Sequence, residues 1–260
     1  AGDDEDYIYR VGLTAGKNVG AGASNYGMVS YFGKVNYDYE GRYLASVTVR
    51  RDASSRLAKG NNVDYFPSVS AGWRISSEKF MEATKNWLAD LKLRASWGIN
   101  GNDIIDNEAS YTKYLISLKD ASYNMNGDGT TLAPGGYKVR STNPDLKWEV
   151  KRTFNAGVDL GMFGNRLLFS LNYYNSKTSD MLYLYNVSVP PFTYNTLLAN
   201  IGSMRNSGTE IAVGLTPLKT QDMELNVNVN VTFQQNKLLS LSGMYGGENI
   251  SAPEYKSLAR

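Results

Sequence analysis

The 260-residue sequence contains neither histidine nor cysteine. Without cysteine there is no disulfide framework, no thiolate nucleophile, and no thiolate-ligated zinc or iron–sulfur centre. Without histidine, Ser-His-Asp and Cys-His catalysis and every imidazole metal site are excluded as well. Charge of one sign is also scarce: 27 Lys+Arg against 25 Asp+Glu leave a net charge of +2, too little for a nucleic-acid footprint. Long apolar runs are missing too. The longest stretch free of charged residues, Met181–Met204, is broken by Pro190-Pro191 and by Asn186, Asn195 and Asn200, so it does not read as a spanning helix. A membrane β-barrel survives this test, because only alternate residues of its strands are apolar.

What is present is alternation. From Met223 to Gln235 the odd positions are Met223, Leu225, Val227, Val229, Val231 and Phe233, separated by Glu224, Asn226, Asn228, Asn230, Thr232 and Gln234. A period of two over so many residues is a strand with one apolar and one polar face. Leu146–Leu160 repeats the pattern through Leu146, Trp148, Val150, Phe154, Ala156, Val158 and Leu160, with Arg152 the one interruption of the apolar row. Further rows are Val29–Tyr39, Tyr43–Val49, Val69–Ile75, Leu91–Ile99, Leu167–Tyr173 and Ile211–Leu215, which brings the expected strands to eight. Several are about twice the ~5–6 residues usual in soluble domains and approach the ~9–11 of a tilted membrane strand. A large soluble sandwich also buries one face of each strand, so strand length leaves both architectures open.

Connection lengths separate them. Glu40-Gly41-Arg42, Met162–Asn165 and Leu218–Asp222 are short and Ser76–Trp87 reads as a compact link, and these alternate with long, polar connections at Ala53–Asp64, Gly101–Asp145 and Met181–Asn206. Alternation puts all long loops at one end, as in membrane barrels. The apolar rows share a face only if Tyr39 opposes Tyr43, which requires an odd loop between them. Ser76–Trp87 predicts a helical turn begun at Ser76 or Ser77 with Glu78 near its start. The longest excursion predicts a hairpin at Tyr111–Leu118. Tyr37, Tyr39 and Tyr43 beside the first short turn, with Trp73 and Trp87 flanking the second, suit a membrane-interface belt; the β-propensity of aromatic residues is the other explanation.

Four segments stand out: Tyr31-Phe32-Gly33-Lys34-Val35-Asn36-Tyr37-Asp38-Tyr39, Gly41-Arg42-Tyr43-Leu44, Arg51-Asp52-Ala53-Ser54-Ser55-Arg56 and Tyr65 through Arg74. They resemble the barrel of the SusC/RagA-like TonB-dependent transporters of Bacteroidetes outer membranes. Leu91 through Gly98, Asn143-Pro144-Asp145-Leu146-Lys147-Trp148-Glu149 and Asn206-Ser207-Gly208-Thr209-Glu210 continue the resemblance, which covers most of residues 26–236. Ala53 stands where the family usually has Gly.

The resemblance implies an all-β fold: part of an antiparallel, up-and-down transmembrane barrel of about 22 strands, with long extracellular loops and short periplasmic turns. Residues 1–260 are expected to be a portion of that barrel from its C-terminal half, without the plug. The implied function is nutrient import, of oligosaccharides or peptides, across the Gram-negative outer membrane. The implied partners are a SusD-like surface lipoprotein, the TonB complex (through parts of the protein outside this sequence) and outer-membrane lipid, with no nucleic acid, no cofactor, no metal and no enzymatic activity. A soluble glycan-binding or adhesin-like β-protein is the alternative; it expects Trp73, Trp97 and Trp148 buried in one water-soluble core. Alternation nominates Lys34, Asn36, Arg50, Arg74, Lys92 and Arg94 to face a lumen, either solvating it and touching a plug or touching solute. Other motifs carry less. Asn124-Met125-Asn126-Gly127-Asp128-Gly129 has Gly135 where an EF-hand needs Glu. Asp3-Asp4-Glu5-Asp6 reads as a solvated acidic run, and glycine-rich Gly16–Gly27 lacks the strand–loop–helix context of a phosphate cradle. No spacing nominates a pair of glycosidase carboxylates.

Overall fold

The computed structural model describes residues 25–105, 114–124, 132–138, 143–186, 194, 196–245 and 248–251. The Asp3–Asp6 run, Gly16–Ser24 and Met125–Gly129 lie outside them. Twelve strands follow one another: β1 (Met28–Tyr39), β2 (Tyr43–Ser54), β3 (Val63–Arg74), β4 (Leu88–Asn102), β5 (Tyr114–Asn124), β6 (Leu132–Lys138), β7 (Glu149–Met162), β8 (Leu167–Ser179), β9 (Leu182–Asn186), β10 (Thr196–Lys219), β11 (Glu224–Tyr245) and β12 (Glu248–Ser251). Their main sheet is an antiparallel meander in the order β1-β2-β3-β4-β7-β8-β10-β11-β12, with β9 paired to β10 alone and β5–β6 a separate hairpin. No helix among the described residues is long and apolar enough to cross a membrane.

Register lines up the apolar rows across the sheet. One row runs Tyr37, Ala45, Ala71, Ala95, Ala156, Tyr173, Thr209 and Phe233, each paired to the next. The polar residues between these rows share the other face. Exposure is inverted relative to a water-soluble sheet. On β2 the apolar Tyr43, Ala45, Val47 and Val49 are exposed, while Leu44, Ser46 and Thr48 opposite them are partly buried. On β4, Leu93, Ala95 and Trp97 are exposed and Lys92, Arg94 and Ser96 are sheltered. An apolar face left open beside a sheltered polar face suits a sheet curled toward its polar side, with hydrocarbon outside.

The short connections close one end of this sheet. Tyr39 pairs with Tyr43, and the turn between them holds Glu40 (φ 53°) and Gly41 (φ 65°) in the left-handed region, as the twist of a tight hairpin demands. The Asp38 carboxylate accepts the Gly41 N–H at 2.7 Å. At the β7–β8 turn Phe163, Gly164 and Asn165 are all left-handed. The β3–β4 link is not the single helical turn expected but two short 3-10 segments, Ile75–Ser77 and Lys79–Thr84, and the Glu78 side chain caps neither.

The long-connection end differs most from expectation. Of the hairpin expected at Tyr111–Leu118, Tyr111–Lys113 lie outside the described residues, and Tyr114–Leu118 belong to β5, which pairs with β6. Met181–Asn206, expected as loop, contains β9 and the first part of β10, a strand of 24 residues. Gly202 (φ 95°) sits at a register shift in β10, where a Cβ would meet the Ser240 carbonyl at 2.7 Å. β7 begins only at Glu149, so Leu146 and Trp148 precede it. They leave the apolar row for a small core with Leu57, Ala58, Phe66 and Val150. There Trp148 is 3% exposed, whereas Trp73 and Trp97 are 38% and 40% exposed. One tryptophan buried and two open is not the single soluble core that the alternative requires.

Three patches of hydrogen bonds hold this rim. The Trp148 indole N–H donates to the Asn62 carbonyl at 3.2 Å, and the Ala58 N–H to the Leu146 carbonyl at 3.3 Å. Asn200 accepts from the Lys147 N–H at 2.9 Å and donates to the Lys147 and Asp180 carbonyls at 2.8 and 2.9 Å. The Ser54 hydroxyl donates to Asp103 at 2.6 Å. Because these donors and acceptors are sheltered, leaving one unpaired costs more than forming the bond gains.

Candidate functional site

The polar face carries the groups able to meet a solute. Lys34 and Asn36 lie on exposed β1, opposite Thr48 and Ser46 of β2. Arg50 donates to Asp52 at 2.6 Å and to the Ser30 hydroxyl at 3.2 Å. Arg74 pairs with Asp90 at 3.4 Å and faces Lys92 directly across the β3–β4 ladder. Arg94 grips Asp159 through two nitrogens, at 2.9 and 3.2 Å, while the Ser170 hydroxyl donates to the same carboxylate at 2.7 Å. Register thus sets all six sequence candidates on one face. It does not gather them into one cluster: Arg50 lies nearer the long connections, Lys34 near mid-strand, and Asn36, Arg74 and Lys92 nearer the short ones.

Sequence reasoning missed the acidic partners. Asp52, Asp90 and Asp159 each answer one of the three arginines. Arg50 and Asp52 are two residues apart on one strand, so alternation already puts them on one face, whereas Arg74–Asp90 and Arg94–Asp159 join different segments and depend on register that alternation alone does not supply. Between the ion pairs runs a neutral row, Asn36, Ser46, Ser70, Ser96 and Asn155, in which the Asn155 amide donates to the Ser96 hydroxyl at 3.2 Å. This row borders a recess of about 460 Å³ reached by Asp38, Lys92, Arg94 and Asn172. A second recess of about 870 Å³ lies toward the short connections, beside Arg74, Asp90, Asp159 and Ser170. The chemistry available is hydrogen bonding and charge pairing. Among the described residues no group of three or more carboxylates is gathered as a metal cluster would need.

A second constellation occupies the short-connection end of the apolar face. Tyr39 and Tyr43 stack at 6.3 Å between ring centroids, and Tyr43 and Trp73 at 6.5 Å. The Tyr43 hydroxyl and the Trp73 indole N–H both donate to Glu78, at 2.7 and 3.0 Å. Arg42 lies within 3.5 Å of the same carboxylate and also pairs with Glu40. These donors hold the Glu78 carboxyl below its ordinary value, the Tyr43 bond first and Trp73 next. Apolar ring faces with their polar ends tied inward are what a membrane–water boundary accommodates.

Residues 3–257 match the family model described as TonB dependent receptor-like, beta-barrel. The chain is 36% identical over 219 residues to the TonB-dependent receptor SusC of Bacteroides thetaiotaomicron, covering 83% of this chain and 21% of that protein. It is 33% identical over 257 residues to a TonB-dependent receptor of Formosa agariphila, covering 91% and 23%. Among solved structures, the RagAB peptide transporter superposes with a TM-score of 0.73 at 29% identity, covering 83% of this chain and 23% of that one. The siderophore receptor PirA of Pseudomonas aeruginosa, at 14% identity and a TM-score of 0.51, shares the fold alone. The chain therefore spans between a fifth and a quarter of the length of the curated relatives it matches.

Proposed function

The chain belongs to the TonB-dependent receptor-like β-barrel family, and on that premise we propose that it forms part of the wall of a nutrient importer. It is of the SusC/RagA type, a family of the outer membrane. The proposed activity is uptake of bulky solutes, oligosaccharides or peptides, energised by a TonB complex and served by a SusD-like lipoprotein at the long-loop end. The proposed role of the present residues is passive. The sheet supplies a lipid-facing exterior and a lumen lining, and carries out no catalysis.

One observation carries this reading: the apolar rows run in register across eight strands, and on β2, β3 and β4 they lie open while the polar residues between them are more sheltered. A soluble protein gains nothing from that inversion, since the hydrophobic effect drives apolar area out of water. Within the lining, Lys34, Asn36, Arg50, Arg74, Lys92 and Arg94 are proposed to face the lumen. The ion pairs of Arg50, Arg74 and Arg94 favour solvation of the wall over direct capture of solute.

The test uses the full-length protein in its native cell. Its gene is deleted, and growth is compared on a panel of neutral oligosaccharides, acidic oligosaccharides and peptide mixtures as carbon source. The expected result is loss of growth on one solute class, reproduced by deleting TonB and restored by the intact gene. Unchanged growth and unchanged uptake of labelled solutes across the panel would refute the import reading.

A further inference from the structure

Arg152, which interrupts the apolar row of β7, is not alone. Arg152 pairs with Lys177 of β8, Lys177 with Arg205 of β10, and Arg205 with Lys237 of β11. Four cations thus stand in one row across four neighbouring strands, on the apolar face. All four are exposed. Arg152 donates to the Ser179 hydroxyl at 3.1 Å, and among the described residues none of the four has an acidic partner. Like charges directly opposite each other in a sheet repel, and three such pairs in succession cost stability unless an anion neutralises them.

Position identifies the anion. The next row toward the short connections is Phe154, Asn175, Ser207 and Gln235, and the row after it is Ala156, Tyr173, Thr209 and Phe233. The outward surface therefore passes from apolar, through neutral amide and hydroxyl, to cationic. Each cation lies ten residues along its strand from the row Met162, Leu167, Leu215 and Val227 beside the short turns. Ten residues rise ~34 Å along a strand, and at a tilt of ~35–45° this spans ~24–28 Å, one apolar band of a membrane barrel. The row falls where hydrocarbon gives way to headgroups, at the long-loop surface. Lys and Arg suit that place, with stems along the apolar surface and heads in the polar layer. On β1–β4 the corresponding positions, Gly33, Val49, Pro67 and Ile99, are uncharged, so the patch is local and ~14 Å wide from three inter-strand steps of ~4.8 Å.

We propose that Arg152, Lys177, Arg205 and Lys237 form a docking site for the phosphate groups of the lipid in the outer leaflet of the outer membrane, held against the barrel exterior. The site depends on the outer-membrane setting and is independent of which solute the barrel admits.

The test uses the full-length protein purified in detergent, with phosphorylated lipid A, the same lipid after enzymatic dephosphorylation, and inorganic phosphate as separate probes. Bound lipid is read by native mass spectrometry and protection by thermal unfolding. Phosphorylated lipid A should bind and raise the unfolding temperature, the dephosphorylated lipid should do so weakly, and inorganic phosphate not at all. The double variant Lys177→Gln/Arg205→Gln should weaken lipid binding about 25-fold, roughly fivefold for each charge removed. Lys151→Gln, on the opposite face of the same sheet, should leave it unchanged. Equal binding of the dephosphorylated lipid would overturn the proposal, as would equal protection by inorganic phosphate or an unaffected double variant. If the double variant fails to assemble, the comparison of the two lipids on the unmodified protein still decides.

Discussion

Replacing Trp148 with alanine should loosen the long-loop rim and leave the barrel ladder intact. The indole is 3% exposed, packs edge-on to Phe66 at 5.3 Å between centroids, and donates to the Asn62 carbonyl at 3.2 Å. Trp→Ala in a packed core costs ~3–5 kcal/mol, from lost burial and the cavity left behind. Leaving the Asn62 carbonyl without its donor adds to that cost. Of that energy, the ladders of β2–β3 and β4–β7 depend on none, since their register bonds lie along the strands. The loss should therefore appear as local opening. Hydrogen exchange measured by mass spectrometry on the full-length protein in detergent is the assay. The amides of Ala58, bonded to Leu146, and Ser54, bonded to Asn62, should exchange faster by ~100-fold or more, since each 1.4 kcal/mol is a factor of ten. Amides of Ala95 and Ala156 in the β4–β7 ladder should be unchanged. Uniform acceleration across the strands, or unchanged exchange at Ala58, would refute the view that Trp148 pins the loops rather than the wall.

Two further outcomes separate the faces and the ends of the sheet. Val69→Arg places a charge on the exposed apolar face, whereas Ser70→Arg places it on the polar face. In a membrane the first should cost about 2–4 kcal/mol near mid-depth and reduce the heat-modifiable folded band on a gel, and the second should be tolerated; equal behaviour of the two would contradict the lipid-facing assignment. At the short-connection end, the depressed Glu78 carboxyl stabilises the aromatic stack only while ionised. Its contribution is complete above the ordinary value of 4.5 and is lost as pH falls through the lower folded value, so Trp73 emission should shift there in the wild type. Glu78→Gln should abolish that acid transition, and a transition that persists in the variant would assign it elsewhere.

How much of this was legible in the sequence depends on the kind of information each element required. Alternation at Met223–Phe233 or Leu91–Ile99 is local, and it fixed eight strands, their two faces and the alternation of connection lengths. The three-residue turn at Glu40-Gly41-Arg42 followed from parity, and Tyr39 does oppose Tyr43. Other features needed partners distant in the chain. Leu146 and Trp148 share the parity of β7, yet they turn into a core with Leu57 and Phe66, because the rim loops offer them burial that the sheet does not. The first half of β10 lacks the open-and-sheltered alternation of the wall, since Leu197, Ala199, Asn200 and Ile201 are buried and Leu198 is partly buried among them. Glu78 was expected near the start of a helical turn begun at Ser76 or Ser77, but its carboxylate is taken by two aromatic donors from β2 and β3.

The same division applies to the site residues. The sequence by itself determined that Lys34, Asn36, Arg50, Arg74, Lys92 and Arg94 share the polar face, because a strand's period of two follows from its covalent geometry. It also marked Arg152 as a charge out of place. Only the tertiary structure decided that Asp90 and Asp159 answer Arg74 and Arg94, and that Arg152 continues into Lys177, Arg205 and Lys237. Face is a property of one strand, whereas neighbourhood is a property of register between strands, which only pairing and turns set.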